Sequence, residues 1–312
     1  MKFLITGGGG FIGSNLVEEL LNLGHSVRVL DNFSTGKREN LQQFRDDIEL
    51  IEGDIRSYHV TDRAVKKMEI ILHQAALPSV PRSINDPITS NEVNVVGTLN
   101  ILEAARTHGV KRIIYASSSS VYGDNPTLPK KETMTPNPLS PYAVSKLAGE
   151  HYCRIFSELY GIETVALRYF NVFGPRQDPN SQYSAVIPKF IRAMLEGKSP
   201  VIYGDGEQSR DFTHVSNVVN ANVLAATQPG AIGKVMNCAT HGQVTLNELV
   251  YTLNELLSTG IEPTYADGRP GDIKHSYADI DLLGTATGYR PVTSFSAGLQ
   301  STVKYYQGTE KA

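Results

Sequence analysis

Lys2-Phe-Leu-Ile-Thr-Gly-Gly-Gly-Gly-Phe-Ile-Gly13 decides how this chain reads. Residues 2–5 predict a short buried strand. Gly7 to Gly10 then make a turn that side chains would block. From Phe11 the apolar residues fall at helical spacing: Phe11, Ile12, Leu16, Val17, Leu20, Leu21 and Leu23. Strand, glycine turn and helix start form a pyrophosphate site, because free backbone N–H groups and the helix dipole both favour negative charge there. Gly8-x-Gly10-x-x-Gly13 and Gly7-x-x-Gly10-x-x-Gly13 both fit the dinucleotide fingerprint. A glycine run alone is also what a flexible loop looks like, so the context matters. Val27-Arg-Val-Leu-Asp31 reads as a second strand ending in an acid. The fingerprint wants an Asp or Glu about 20 residues on, to bind a ribose 2′-OH. Asp31 would repel a 2′-phosphate, which favours NAD over NADP, although Lys37 and Arg38 follow closely.

The 312 residues suffice for one large or two modest domains. Hydrophobic content of 40% and charged content of 20% are those of ordinary soluble globular proteins. A formal net charge of −3 announces no polyanion-binding face, so nucleic acid is not an expected partner. Cys153 and Cys238 have neither metal-ligand spacing nor a disulfide framework, and suit small buried residues in a reducing compartment. No apolar run reaches transmembrane length. The first strand begins at residue 2, which leaves no room for a signal peptide. The expectation is a cytoplasmic protein with no membrane contact.

Further strands are expected at 48–52, 70–73, 111–116 and 164–168, with helical patterns near 61–68, 89–108 and 142–160. Such alternation predicts a parallel sheet covered on both faces. The fold class is therefore α/β, a Rossmann-like doubly wound sheet over residues 1–170. Beyond about residue 171, Pro and Gly punctuate the chain more often, and helices are expected near 184–196, 215–227 and 245–257. This reads as a smaller substrate domain, 171–312, that lends a strand near 234–238 to the main sheet.

Tyr142-Ala-Val-Ser-Lys146 places a phenol and an ammonium on one helix face. A phenol near pKa 10 is a poor base at neutral pH, and a neighbouring positive charge can lower it. Tyr and Lys at this spacing also arise by chance on solvated faces. Here Tyr115-Ala-Ser-Ser-Ser-Ser-Val-Tyr-Gly123 ends an apolar strand upstream and puts hydroxyls at its carboxyl end. A serine there, Ser118 or its neighbour Ser119, can hydrogen-bond a substrate oxygen and pass its proton to the tyrosine. The plain alternative is a serine-rich loop serving its own backbone.

Together these stretches resemble the extended short-chain dehydrogenase/reductases over the whole chain. The resemblance implies that NAD is held by Gly7, Gly10, Phe11, Ile12, Gly13, Asp31, Asn32, Asp54, Ile55, Ala75, Ala76, Tyr142 and Lys146, with Asn94 as a brace beside the active site. Ser118, Tyr142 and Lys146 match the family's catalytic group. Within the family the second half resembles the UDP-hexose 4-epimerases. Arg168-Tyr-Phe-Asn-Val-Phe-Gly174 carries Asn171, which in the family touches a diphosphate. Ala185-Val-Ile-Pro188 resembles the segment whose backbone reads uracil, and the resemblance adds Val186 and Tyr203 to the substrate contacts. Arg210 and Arg269 match two diphosphate-binding arginines, whose guanidinium forks suit phosphate oxygens. Asp272 matches a uridine-ribose ligand.

Sugar 4,6-dehydratases also resemble this chain, but carry Thr-Asp-Glu where it has Ser118-Ser119-Ser120, and nucleotide-sugar decarboxylases usually keep Glu at the position of Ser120. Serine supplies neither acid nor base at neutral pH, so both reactions are disfavoured. The expectation is a UDP-N-acetylglucosamine/UDP-glucose 4-epimerase in which NAD is regenerated at each turnover. A UDP-glucuronate 4-epimerase or another nucleotide-sugar oxidoreductase stands as the alternative, with Arg82 the candidate cation for a sugar carboxylate. A non-catalytic nucleotide binder would tolerate decay of the Tyr–Lys pair, which is intact.

Ser276 stands where epimerases restricted to glucose and galactose place a bulky tyrosine, which implies space for an acetamido group. Pro78-Ser-Val-Pro-Arg-Ser-Ile-Asn-Asp-Pro87 resembles a segment of bacterial UDP-N-acetylglucosamine 4-epimerases, where Ser79 and Ser83 would donate to that group. Family members pair two helices from each subunit into a four-helix bundle. Leu99, Leu102, Ala105, Leu147, Phe156 and Leu159 are the candidate contacts for a homodimer.

Overall fold

A computed structural model describes residues 1–179, 185–268 and 274–309. Six strands alternate with helices: β1 (Lys2–Thr6), β2 (Ser26–Asp31), β3 (Ile48–Glu52), β4 (Ile70–His73), β5 (Arg112–Ser118) and β6 (Glu163–Tyr169). With a seventh strand, Val235–Cys238, they form one sheet in the order Val235–Cys238, β6, β5, β4, β1, β2, β3. Every neighbouring pair is parallel. The strand order reverses between β1 and β4, and in such sheets the crevice beyond the carboxyl ends at that reversal binds the ligand.

Helices cover both faces. Helices α1 (Phe11–Asn22), α8 (Val215–Thr227) and α10 (Asp281–Thr287) close one core around Phe3, Ile5, Leu72 and Leu167. Helices α2 (Tyr58–Val65), α5 (Gly97–His108) and α6 (Pro141–Tyr160) close the other around Leu4, Ile71, Ile113 and Ala166. A third core joins α7 (Val186–Leu195), α9 (Leu246–Leu257) and α11 (Phe295–Thr309) around Phe190, Leu249 and Leu299. The division expected after residue 170 thus follows chain order and not packing: α8, the seventh strand and α10 all lie on the large sheet. Among the described residues no helix is long and apolar enough to cross a membrane.

Local chemistry sets the helix ends. Ser140 caps α6 by accepting from Ala143 N, Pro141 follows at the first turn, and Gly161 ends the helix in the left-handed region at φ 73°. Thr245 and Glu248 form a reciprocal capping box on α9. Two expected helices differ. The one near 61–68 runs earlier, as α2, because Lys66 is extended and Lys67 turns left-handed at φ 67°. The one at 89–108 is broken into α4 (Pro87–Asn91), a π turn over Glu92–Val96, and α5. A π turn inserts one extra residue, which the 3.6-residue pattern of a sequence does not reveal.

Most of the apolar positions assigned to a subunit contact belong to this chain's own cores. Leu102, Ala105 and Phe156 are buried under the sheet, and Leu99 and Leu147 pack against buried clusters. Of those six, only Leu159 is strongly exposed. Ile84, Ile88, Val96, Val144, Ile155 and Leu159 are among the large apolar side chains left exposed.

Candidate active site

At the reversal point Gly7 turns left-handed at φ +71°, and its N–H donates to Leu30 O. A Cβ on Gly7 would lie 2.8 Å from the Ala75 backbone, so β1 and the turn after β4 touch through glycine alone. A Cβ on Gly13 would lie 2.1 Å from Gly7 O. Gly7 and Gly13 are therefore the pair that seats α1 on the turn. Gly10 caps α1 without a side chain and the first turn holds no acid, so its N–H groups stay open to an anion. The cradle fits a dinucleotide pyrophosphate, because the side-chain-free turn leaves the N–H groups at the start of α1 open to an anion.

Asp31 ends β2 with its carboxylate accepting from Gly9 N at 2.8 Å and Phe33 N at 2.7 Å. Burial pushes its pKa up against those two bonds. The acid both braces the glycine turn and leaves lone pairs for ribose hydroxyls. Asn32 is exposed and donates to Asp54, which Arg56 also holds. Ile55 is buried, while Ala75 and Ala76 are half-buried beside the turn.

Ser118 is the last residue of β5, and its hydroxyl accepts from Ser120 N at 3.2 Å. Strand alternation sends its neighbour the other way, and Ser117 Oγ donates to Glu150 at 2.5 Å. Glu150 in turn holds Arg168 through two bonds, at 2.8 and 2.7 Å, in a buried pair behind the site. Ser119 starts the next turn half-buried, and Ser120 Oγ is buried with no partner among the described residues.

Tyr142 opens α6 and Lys146 follows one turn on. The Lys146 ammonium lies 5.9 Å from the Tyr142 ring centre and donates to Ala116 O at 2.7 Å. Burial drives its pKa down to about 8, against the pull of Cys153 and Glu150. The expected lowering of the Tyr142 pKa is not what this state shows. Burial raises it, and a hydrogen bond with Ser118 is the opposing influence. The lysine charge, 5.9 Å from the ring centre and itself destabilised by burial, does not outweigh the phenol's own desolvation.

Asn94 lies in the π turn and ties two parts of the site together. It accepts from Leu77 N at 2.8 Å and donates to Ser145 Oγ, which donates to Tyr142 O. A second chain of bonds feeds the same brace. Ala75 N donates to Thr6 Oγ1, which meets His73 Nδ1 at 2.7 Å. His73 Nε2 meets Thr98 Oγ1 at 3.0 Å, and Thr98 donates to Asn94 O. Because the Thr98 proton is committed, the histidine donates from Nε2 and accepts at Nδ1. His73 is fully enclosed and burial lowers its pKa to about 3, so it stays neutral. Neither Thr6 nor Thr98 is adjacent to it in sequence, which is why this relay was not legible there.

Ser83 is corrected. Its hydroxyl donates to Val80 O and accepts from Tyr142 N, and it is fully buried, so no proton remains for a substrate. Its role is to seat the start of α6. Ser79 accepts from Arg82 N at the cap of α3 (Val80–Asn85), with Arg82 half-buried in the first turn.

Asn171, Val186, Tyr203 and Arg210 come together around one cavity of about 290 Å³. Asn171 sits at φ 34°, a left-handed position that asparagine tolerates better than most residues. Lys189 and Gln208 also line this cavity and were not found from the sequence. Gln208 lies two residues before Arg210 on extended chain, and that spacing was the available signal. Ser276 pairs in register with Arg210, so the two side chains share a face. Arg269 and Asp272 lie outside the described residues.

Residues 3–239 match the model of the NAD-dependent epimerase/dehydratase family. A UDP-N-acetylglucosamine 4-epimerase from Methanobrevibacter ruminantium, solved with UDP-N-acetylmuramic acid, is 43% identical with a TM-score of 0.94; the match covers 99% of this chain and 98% of that one. A UDP-glucose 4-epimerase from Thermus thermophilus, solved with NAD, is 38% identical with a TM-score of 0.90, covering 99% of each chain. The UDP-glucose 4-epimerase of Mycolicibacterium smegmatis is 38% identical over 98% of this chain and 99% of its own length. The chain belongs to the NAD-dependent epimerase/dehydratase family, as a relative of its UDP-sugar 4-epimerases, and NAD is its cofactor.

Proposed function

We propose that this protein is a UDP-hexose 4-epimerase that accepts N-acetylated sugars, interconverting UDP-N-acetylglucosamine and UDP-glucose with their 4-epimers. One observation carries the reading. The hydroxyls of Ser118 and Tyr142 meet at the carboxyl end of β5, while Glu150, the carboxylate nearest along α6, is locked to Arg168. This supports a base with a hydroxyl helper, and Ser119 and Ser120 stand where water elimination would need a carboxylate pair.

Tyr142, as phenolate, takes the proton from the sugar 4-OH, and Ser118 passes it along. Lys146 holds positive charge beside the phenolate and has N–H donors left for ribose hydroxyls. NAD⁺ when bound would supply the acceptor for the C4 hydride. Asn171 and Arg210, with Arg269, hold the diphosphate while the 4-keto sugar turns over, so that hydride returns to the opposite face.

Ser276 favours N-acetyl sugars. It shares a strand face with Arg210 and is far smaller than tyrosine, which leaves room on the sugar's C2 side. Ser79 keeps its hydroxyl proton for an acetamido oxygen. The exposed apolar residues along α3, α4 and α6 suit a second copy of this chain, and light scattering at micromolar concentration should give a dimer mass. The functional test is incubation with a panel of UDP-sugars and separation of the products. UDP-N-acetylglucosamine should yield its 4-epimer. Turnover of UDP-galactose with UDP-N-acetylglucosamine left untouched would reduce the protein to a galactose epimerase.

A further inference from the structure

The cavity beside Arg210 holds one polar atom that nothing among the described residues serves. Gln208 is 8% exposed, and its amide nitrogen donates to Tyr203 O at 2.6 Å. That bond fixes the orientation of the amide, since only the nitrogen end can meet a carbonyl. The other end, Oε1, is buried and has no donor among the described residues. Native interiors rarely leave an acceptor so, because a buried oxygen without a donor forfeits its bonds to water.

The surroundings say what donor fits. Ile187, Phe190, Phe212 and Leu246 make the walls apolar, and among the described residues Lys189 and Arg210 are the charged ones lining the space, with no carboxylate beside them. Ser209 points away to His275, so Gln208 and Arg210 project to one face of the strand. An apolar slot, cations at its edge and a buried acceptor without a donor suit a nucleoside joined to a diphosphate.

We propose that Gln208 Oε1 accepts a hydrogen bond from the nucleoside of the substrate and so sets nucleotide selectivity; this rests on the nucleotide-sugar reading above. The donor is either the ring N–H of a pyrimidine-dione base or a ribose hydroxyl.

Calorimetric titration of the purified, NAD-loaded protein with UDP, N3-methyl-UDP, 2′-deoxy-UDP and 3′-deoxy-UDP separates these sources. The protein should lose affinity on the order of tenfold for whichever analogue lacks the donor. Gln208→Met should weaken UDP by a similar factor and no longer distinguish that analogue from UDP. Gln208→Asn, which withdraws the oxygen by one methylene, should do the same and serves if the methionine variant misfolds. The inference is overturned if the wild-type protein binds all the analogues as tightly as UDP, or if the variants keep its discrimination. Absence of any UDP binding would overturn the uridine reading itself and this inference with it, whereas UDP binding without discrimination sinks the Gln208 role alone.

Discussion

Lys146 reaches past Tyr142 instead of to it: its ammonium bonds Ala116 O at 2.7 Å and stands 5.9 Å from the phenol ring centre. The pair on one helix face therefore acts through space. Ser118 makes the direct contact with the phenol, and burial holds that phenol neutral until a ligand adds charge or bonds.

Tyr142→Phe removes the base while leaving the cavity at Asn171 and Arg210 intact. Turnover should fall about 10²–10⁴-fold, with UDP affinity nearly unchanged. Ser118→Ala should cost less, since Ser119 lies beside it. Steady-state kinetics paired with UDP titration checks both, and wild-type turnover in Tyr142→Phe would remove the base from the account.

NAD should copurify, because the glycine cradle and Asp31 suit it and the proposed reaction would regenerate it at each turnover. Acid-denatured protein should release a nicotinamide nucleotide without a 2′-phosphate. Gly13→Ala puts a methyl group on Gly7 O, and that variant should purify without nucleotide and with a lowered Tm. Release of NADP would contradict the reading of Asp31.

Acid stability should report His73. Its folded pKa is about 3 against an ordinary 6.5, so the unfolded chain binds the proton first and stability falls as pH drops below about 6.5. At pH 5 this single group costs about 2 kcal/mol. His73→Gln should flatten the slope of unfolding free energy between pH 7 and 5, measured in urea. His214, lowered to about 4, keeps part of the slope. An unchanged slope would mean that the enclosed histidine is not what titrates.

Ser276→Tyr should abolish turnover of UDP-N-acetylglucosamine and spare or improve that of UDP-glucose. A product assay with each sugar separates this from a general loss of folding, which would remove both activities.

Much of this was legible because the chemistry is local. The glycine turn, Asp31, the serine run and the Tyr142–Lys146 pair each announce themselves within a few residues. What escaped notice depends on contact between distant segments. An apolar stripe on α5 or α6 looks the same whether it covers the sheet, as Leu102 and Phe156 do, or faces a partner, as Leu159 can. Ser83 looked like a donor because its bond to Val80 O and its burial under Tyr142 are invisible in sequence. The vacancy at Gln208 Oε1 exists only once Tyr203 O has claimed the other end of the amide.

The central claim is most directly tested by incubating the protein with UDP-N-acetylglucosamine in heavy water and following the sugar C4 position by proton NMR. Hydride that leaves and returns within one site predicts the 4-epimer with protium kept at C4. Deuterium at C4, or no 4-epimer from any UDP-hexose, would contradict the account.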